Sequence, residues 1–244
     1  MPRLKLLIAY DGTSFRGWQS QKSDDAVQDI IERALRSICK KPVRLHGSGR
    51  TDAGVHALGQ VAHADVELSL TPIQWTRAIN ALLPEEIRVL RARYVTESFH
   101  ARFSAAGKEY RYELWTGEIL PPHLCRTVCH YPWPIDLEIL KKALSVFVGT
   151  HDFAAFSARG TPMPDTSRTI YDITVRSKGP LVRITYKGNG FLYKMVRMLT
   201  AAALRVASER EPLSGIREKL QHPHKTRSQH VAAANGLTLV RVLY

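Results

Sequence analysis

Residues 47–56 read GSGRTDAGVH and form the most unusual stretch of the chain. Three glycines within eight residues permit backbone angles that other side chains forbid, so the loop can present a guanidinium (Arg50) and a carboxylate (Asp52) on a tight turn. The absence of GxxxxGK followed by Ser or Thr disfavours a phosphate-binding loop. Local composition alone favours an ordinary connection in which Asp52 only caps a turn.

The segments on either side of this loop predict alternating strands and helices. Strands are typical of Leu- and Ile-rich or alternating runs that end at turn residues, and helices of apolar residues at three- and four-residue spacing. Thr71 with Gln74 forms a capping box, with Pro72 at the first helical position. Predicted strands cover 4–10, 43–46, 59–66, 87–94, 108–115, 170–176, 181–187 and 237–243; predicted helices cover 27–38, 72–82, the stretch from the Asp136 cap to Gly149, 191–207 and 213–220.

This order of elements predicts an α+β fold. Strands and helices alternate only twice and without tight βαβ spacing, so a mixed or antiparallel sheet with helices on one face is favoured over a parallel doubly wound sheet. The polar segment near 99–107 is the best candidate boundary between two parts of the chain. It lacks the composition of a flexible linker.

The charge balance indicates a polyanionic partner. The chain has 244 residues, and 35 Lys and Arg against 22 Asp and Glu leave a formal charge of +13. Nucleic acid is the expected partner, with an anionic membrane surface as the alternative. No apolar run is long enough to span a bilayer, and the apolar stretch at 6–9 is too short for a signal-peptide core. Because the three cysteines are an odd number, which does not fit a disulfide framework, we expect a cytoplasmic protein with reduced thiols.

Several segments, in order along nearly the whole chain, resemble the tRNA pseudouridine synthase A family. The GRTDAGVH core is the most specific of them, whereas GTHDF alone would be weak evidence. The matching segments are YDGTSFRGWQSQ (10–21), GSGRTDAGVHALGQ (47–60), FHARFSAAGKEYRYEL (99–114), GTHDF (149–153) and NGFLYKMVRML (189–199).

The resemblance implies a pseudouridine synthase fold in which two related halves meet at a central catalytic cleft. Residues 1–103 would form the N-terminal half with the catalytic aspartate loop, and residues 104–244 the C-terminal half with an active-site tyrosine and arginine. It also implies a homodimer that binds the anticodon arm of tRNA and isomerises uridines 38, 39 and 40 to pseudouridine. The family needs neither a metal nor a redox cofactor.

The resemblance also assigns roles to single residues. Asp52 matches the catalytic aspartate, which would either add to C1′ of the ribose or remove a proton from C2′, and the sequence leaves both routes open. Arg197 matches the basic residue that pairs with this carboxylate and favours its ionised form. Tyr110 matches the tyrosine whose ring can stack on an extruded uracil and whose hydroxyl can transfer a proton. Arg50 matches an arginine that helps to extrude the base.

Basic residues between 168 and 197 predict further RNA contacts. Seven of them surround a single acid, Asp172, and we interpret part of this set as an RNA-facing wall that includes the substrate-binding candidates Lys187 and Lys194. The basic tail segment 222–230 could add phosphate contacts. The seven residues are Arg168, Arg176, Lys178, Arg183, Lys187, Lys194 and Arg197.

Other interpretations remain. Within the same class, the chain could be a related synthase that acts on other tRNA sites or on another RNA. A non-catalytic RNA-binding protein is disfavoured by the intact Asp52, Tyr110 and Arg197. A metal-dependent hydrolase would need a ligand cluster, and the only candidate zinc ligands lie in one short segment with no second cysteine pair: His123, Cys125, Cys129 and His130.

Overall fold

The computed structural model describes residues 1–158 and 165–244 and divides the chain into two compact units. The first unit contains residues 1–106 and 238–244, and the second contains residues 107–237. In chain order the elements are β1 (Arg3–Tyr10), α1 (Val27–Cys39), β2 (His46–Gly47), β3 (His56–Asp65), α2 (Pro72–Asn80), β4 (Ile87–Val95), β5 (Gly107–Trp115), β6 (Cys129–His130), α3 (Leu137–Ser145), β7 (Gly149–Asp152), β8 (Ser167–Lys178), β9 (Leu181–Gly188), α4 (Met195–Ala207), α5 (Leu213–Gln221) and β10 (Leu237–Leu243).

The first unit is built on a mixed sheet in the order β4-β1-β3-β10. Strand β1 pairs antiparallel with both β3 and β4, β2 adds antiparallel to β3, and β10 runs parallel to β3. Every second residue of β1 is buried, from Leu4 to Tyr10. This alternation is what a strand with one core-facing side requires.

Helix α2 begins where its capping box predicts. The backbone N–H of Gln74 donates to Oγ1 of Thr71 at 3.3 Å, and the N–H of Thr71 donates to Oε1 of Gln74 at 2.8 Å. These two bonds satisfy donors that the first helical turn would otherwise leave unpaired. Trp75 and Ile79 form the buried face of the helix.

The second unit contains a sheet in the order β5-β9-β8-β7, with the short strand β6 parallel to β5. The predicted hairpin is confirmed as β8 and β9. The predicted end of a helix at Gly149 is wrong, because α3 ends at Ser145 and Gly149 begins β7. Gly149 has a φ of 112° and pairs with Ile170 of β8, a partner that the local sequence does not reveal.

Helix α4 also begins later than predicted. It starts at Met195 rather than Phe191, and Lys194 before it has a left-handed φ of 59°. The ring of Phe191 instead packs edge-on against Tyr110, with the centroids 5.2 Å apart. A turn at residues 193–194 therefore precedes the helix and carries Lys194.

Both units combine helices with strands, and the strand pairs of each unit include one parallel pair among antiparallel ones. The prediction of an α+β fold with a mixed sheet is confirmed. Among residues 1–158 and 165–244, none of the helices has the length and apolar character needed to cross a membrane.

The close packing of β10 on β3 gives a test of the first unit. A Cβ atom on Gly59 would lie 2.5 Å from the carbonyl oxygen of Val240. We expect Gly59→Ala to push β10 away and to lower the free energy of unfolding by about 1–3 kcal/mol, measured by chemical denaturation.

Gly215→Ala is the matched control for this change. Its new methyl group in α5 would meet no atom closer than 3.7 Å. Because alanine favours helices by about 1 kcal/mol over glycine, this variant should be as stable as the parent or more stable. Equal stability of Gly59→Ala and the parent would contradict the close contact between β3 and β10.

Candidate active site

The Asp52 loop connects β2 to β3 in the first unit. The N–H of Val55 donates to the carbonyl of Asp52 at 3.2 Å, and Gly54 has a φ of 77°, so residues 52–55 form a tight turn. Asp52 is half-buried and Arg50 is exposed. The loop therefore presents both charged side chains from one short, folded segment.

A segment that follows β1 lies against this loop. The N–H of Trp18 donates to the carbonyl of Thr51 at 3.1 Å, and the N–H of Gly12 donates to Nδ1 of His56 at 3.0 Å. The hydroxyls of Tyr10 and Thr51 share a hydrogen bond of 2.8 Å. These contacts hold the loop on both sides of Asp52.

Two glycines make this approach possible. A Cβ atom on Gly12 would lie 2.0 Å from the carbonyl oxygen of Val55, and one on Gly17 would lie 2.5 Å from that of Thr51. Gly17 also has a φ of 87°, in the left-handed region that favours glycine. Any side chain at either position would force the two backbones apart.

Buried amide and hydroxyl groups hold the start of the loop. The Ser48 hydroxyl donates to Oε1 of Gln60 at 2.7 Å, and Nε2 of Gln60 donates to the carbonyl of Gly49 at 3.1 Å. Ser48 and Gln60 are completely buried. The backbone entering the loop is therefore tied to β3 by a side chain of β3 itself.

The guanidinium of Arg50 is oriented by two glutamines. Nε of Arg50 donates to Oε1 of Gln19 at 3.0 Å, and Nε2 of Gln19 donates to Oε1 of Gln28 at 2.8 Å. Gln28 lies in α1 and is buried. This chain of amides links the exposed Arg50 to a helix of the core.

Tyr110 lies on β5 in the second unit. It pairs in register with Tyr186 of β9, and its ring meets Phe191 at an interplanar angle of 84°. Only 8% of its surface is exposed. Tyr112, two residues along the same strand, is completely buried.

Arg197 lies on α4 in the same unit and is half-buried. Its Nε donates to the carbonyl of Ala232 at 2.8 Å, and the Ala232 N–H donates back to the carbonyl of Arg197 at 3.1 Å. The Tyr112 hydroxyl donates to the next carbonyl, that of Ala233, at 3.0 Å. Burial raises the pKa of Tyr112, and the nearby charge of Arg197 opposes only part of that rise.

The predicted basic wall is partly neutralised by acids. Lys187 on β9 lies 4.0 Å from the carboxylate of Asp172, and Arg183 forms a 2.9 Å ion pair with Glu113. Lys194 rests over the ring of Tyr193, with Nζ 5.1 Å from the centroid. Of the predicted substrate-binding residues, Lys187 and Lys194 thus belong to the second unit, whereas Arg50 shares its loop with Asp52.

The alternative zinc site gains no support from the geometry. Cys129 is buried and Cys125 is exposed, while Nε2 of His130 lies 3.0 Å from the carbonyl of Gly117. Across residues 1–158 and 165–244, no three His, Cys, Asp or Glu side chains lie together as a metal-binding group. The described part of the chain therefore offers no ligand set for the hydrolase interpretation.

The polar residues that support the loop have no predicted role in the sequence motifs. Tyr10 and Gln60 stand inside the quoted motifs, and Thr51 directly precedes Asp52. Their signal in the sequence is a polar residue at a predicted core position beside the loop. The partners of these residues become evident only in the fold.

Comparison with known proteins agrees with the motif resemblance. The chain is 44% identical to tRNA pseudouridine synthase A from Akkermansia muciniphila over 253 residues, covering 100% of this chain and 96% of the relative. It is 42% identical to the protein of the same name from Anoxybacillus flavithermus, covering 100% and 99%.

A solved structure of a Cbf5–Nop10–Gar1 complex is 15% identical, with a TM-score of 0.37 and coverage of 82% of this chain and 45% of that one. The sequence model of the family described as tRNA pseudouridine synthase matches residues 6–104 and 143–244. The match includes the Asp52 loop, Arg197 and most of both units. The chain therefore belongs to the tRNA pseudouridine synthase family.

Proposed function

We propose that this isomerase converts uridine to pseudouridine at positions 38, 39 and 40 in the anticodon arm of tRNA, with Asp52 as its catalytic carboxylate. The full-length similarity to proteins named tRNA pseudouridine synthase A carries the reaction class. The GRTDAGVH loop supports the assignment of Asp52, because a half-buried carboxylate is held there by a fixed backbone. A related synthase that acts at other tRNA positions is the second candidate.

The reaction moves one bond within the nucleotide. The bond from C1′ to N1 of uracil breaks, C1′ joins to C5, the proton leaves C5, and N1 gains a proton. No electrons are gained or lost, so the reaction needs no redox cofactor, and because uracil is a tolerable leaving anion, a single carboxylate can serve the sugar. Asp52 either adds to C1′ or removes a proton from C2′.

The other site residues have separate tasks in this proposal. Tyr110 moves a proton at the base, and Arg197 contributes positive charge to the same reaction. Arg50 helps to extrude the target uridine, and Lys187 and Lys194 bind the RNA backbone. The hydrogen bond between Arg50 and Gln19 supports the role of Arg50 in extruding the uridine. A guanidinium that is already oriented loses less conformational entropy when it binds the RNA.

At the level of the whole protein, the two halves of this proposal are the two units: residues 1–106 and 238–244 carry Asp52, and residues 107–237 carry Tyr110 and Arg197. Two copies form a homodimer that binds one tRNA in the cytoplasm. The formal charge of +13 supports a large RNA footprint. Light scattering of the free protein and of its tRNA complex tests the dimer and its stoichiometry.

Mapping the product nucleotide by nucleotide tests the proposed positions. An unmodified tRNA transcript should gain pseudouridine at 38, 39 or 40, wherever a uridine stands there. A matched transcript with cytidines at those positions should gain none. Modification elsewhere in both transcripts would favour the second candidate instead.

The first variant test removes the charge of Asp52. Because the amide of Asp52→Asn is similar in size but is neither a nucleophile nor a base, turnover should fall by at least about 100-fold while tRNA affinity is retained. Turnover is measured by pseudouridine formation and affinity by filter binding.

Asp24→Asn is the matched control, because it makes the same change in net charge at an exposed residue with a φ of 58°, a backbone region that asparagine adopts readily. Its turnover should stay at the parent level. Substantial turnover by Asp52→Asn would disprove the catalytic assignment.

The second variant test separates the ring of Tyr110 from its hydroxyl. Tyr110→Phe should lower turnover by about 100-fold, since the proton-transferring group is lost, while the tRNA dissociation constant changes by less than about 2-fold. Tyr110→Leu should impair both. Tyr131→Phe, which removes a hydroxyl 3.3 Å from Ser208 in the same unit, should leave both unchanged. Normal turnover by Tyr110→Phe would limit the residue to stacking.

A further inference from the structure

Beneath the Asp52 loop lies a group of buried polar side chains that the proposed reaction does not use. Ser48 and Gln60 have no exposed surface, Tyr10 has 4% and Thr51 has 7%. Polar groups are costly to bury unless they are hydrogen-bonded, and leaving one unpaired costs about 1–3 kcal/mol. Once these side chains are hydrogen-bonded, the directionality of their bonds allows the backbone of the loop only a few conformations.

The bonds made by Thr51 act on the peptide group that leads into Asp52. Its carbonyl accepts from the N–H of Trp18, and its side-chain hydroxyl bonds to Tyr10. The carbonyl oxygen of Thr51 and the N–H of Asp52 belong to one planar unit. Fixing the carbonyl and the side chain of Thr51 therefore fixes the plane that contains the N and Cα atoms of Asp52, from which its side chain departs.

Gly17 packs against another side of the peptide group between Thr51 and Asp52. A Cβ atom on Gly17 would stand 3.0 Å from the backbone carbon of Asp52 and 2.5 Å from the oxygen of Thr51. The peptide thus lies between a packed backbone and a buried hydrogen bond. Of these restraints, the one formed by side chains alone is the bond between Tyr10 and Thr51.

We propose that Tyr10 and Thr51 are positioning residues, and that their hydrogen bond orients the carboxylate of Asp52 for reaction at the ribose. The proposal rests on the catalytic role proposed for Asp52. Neither side chain touches the substrate. Their effect is on the rate of the chemical step and leaves tRNA affinity unchanged.

Tyr10 is suited to this task because its hydroxyl stays protonated. Burial raises the pKa of Tyr10, and the neighbouring Thr51 and Gln60 side chains reverse only part of the rise. A neutral phenol can both donate and accept a hydrogen bond, so the bond to Thr51 does not depend on a charged group.

Gln60 acts at a different point of the loop. Its amide holds the carbonyl of Gly49, ahead of Arg50, and its Oε1 accepts from Ser48 and from the N–H of Val61. Gln60 thus restrains the entry of the loop at Gly49, although its side chain also neighbours the Tyr10 hydroxyl. The bond between Tyr10 and Thr51 restrains the residue that directly precedes Asp52. The test therefore uses the latter pair.

The test compares Tyr10→Phe, Thr51→Val and the double variant. For each, the single-turnover rate with saturating tRNA, the tRNA dissociation constant and the melting temperature are measured. Because a displacement of about 1 Å can cost about 100-fold in rate, we expect each single variant to react about 10- to 100-fold more slowly, with a dissociation constant within about 2-fold. The double variant should react no more slowly than the slower single one, since both changes remove the same bond.

Two controls separate positioning from stability. Thr51→Ser keeps the hydroxyl and should restore the rate to within about 3-fold of the parent. Tyr244→Phe removes another phenol oxygen in the first unit, one that donates to the carbonyl of Ala101 at 2.7 Å. It should lower the melting temperature and leave the single-turnover rate unchanged.

The proposal would be overturned if both Tyr10→Phe and Thr51→Val reacted at the parent rate. It would also be overturned if Thr51→Ser lost as much of the single-turnover rate as Thr51→Val. If Tyr10→Phe does not fold, the comparison of Thr51→Val with Thr51→Ser decides. Asp52→Asn is measured in parallel. An active Asp52→Asn would overturn the catalytic assignment itself, whereas an inactive Asp52→Asn beside fully active Tyr10 and Thr51 variants would overturn only the positioning role.

Discussion

The close approach of two backbone segments is the constraint on which the Asp52 loop depends. Residues 10–18 lie so near to residues 51–56 that a methyl group on Gly12 would stand 2.0 Å from the carbonyl oxygen of Val55. At this separation, backbone groups of one segment bond directly to the other, as Trp18 does to Thr51. The paired motifs YDGTSFRGWQSQ and GSGRTDAGVHALGQ thus describe one structural unit, since the glycines of the first make room for the turn of the second.

The close packing of residues 10–18 on residues 51–56 buries a set of polar side chains. Tyr10, Thr51, Ser48 and Gln60 each have a hydrogen-bond partner inside the enclosure. A loop in another conformation would leave several of these groups unpaired, at about 1–3 kcal/mol for each. The loop therefore has one strongly preferred conformation, which is the property that a reacting carboxylate requires.

The second unit restrains its candidate arginine by a different route. Arg197 and Tyr112, from a helix and a strand, hold the neighbouring carbonyls of Ala232 and Ala233. The segment before β10 is therefore bonded to α4 by the same side chain to which we assign an electrostatic role. The orientation of that guanidinium thus depends on a segment 35 residues further along the chain.

The sequence by itself determined the elements whose signals are local. Strand β1, the capping box of α2 and the hairpin of β8 and β9 are confirmed because alternation, caps and turns act within a few residues. The GRTDAGVH motif likewise identified the Asp52 loop and the family. Only the tertiary structure decided the short strands β6 and β7, the start of α4 at Met195 and the supports of Asp52. Each of these features depends on a partner that is distant in the sequence, such as Tyr10 and Thr51, which are 41 residues apart. A hydrogen bond between such residues produces no periodic pattern in the sequence of either segment.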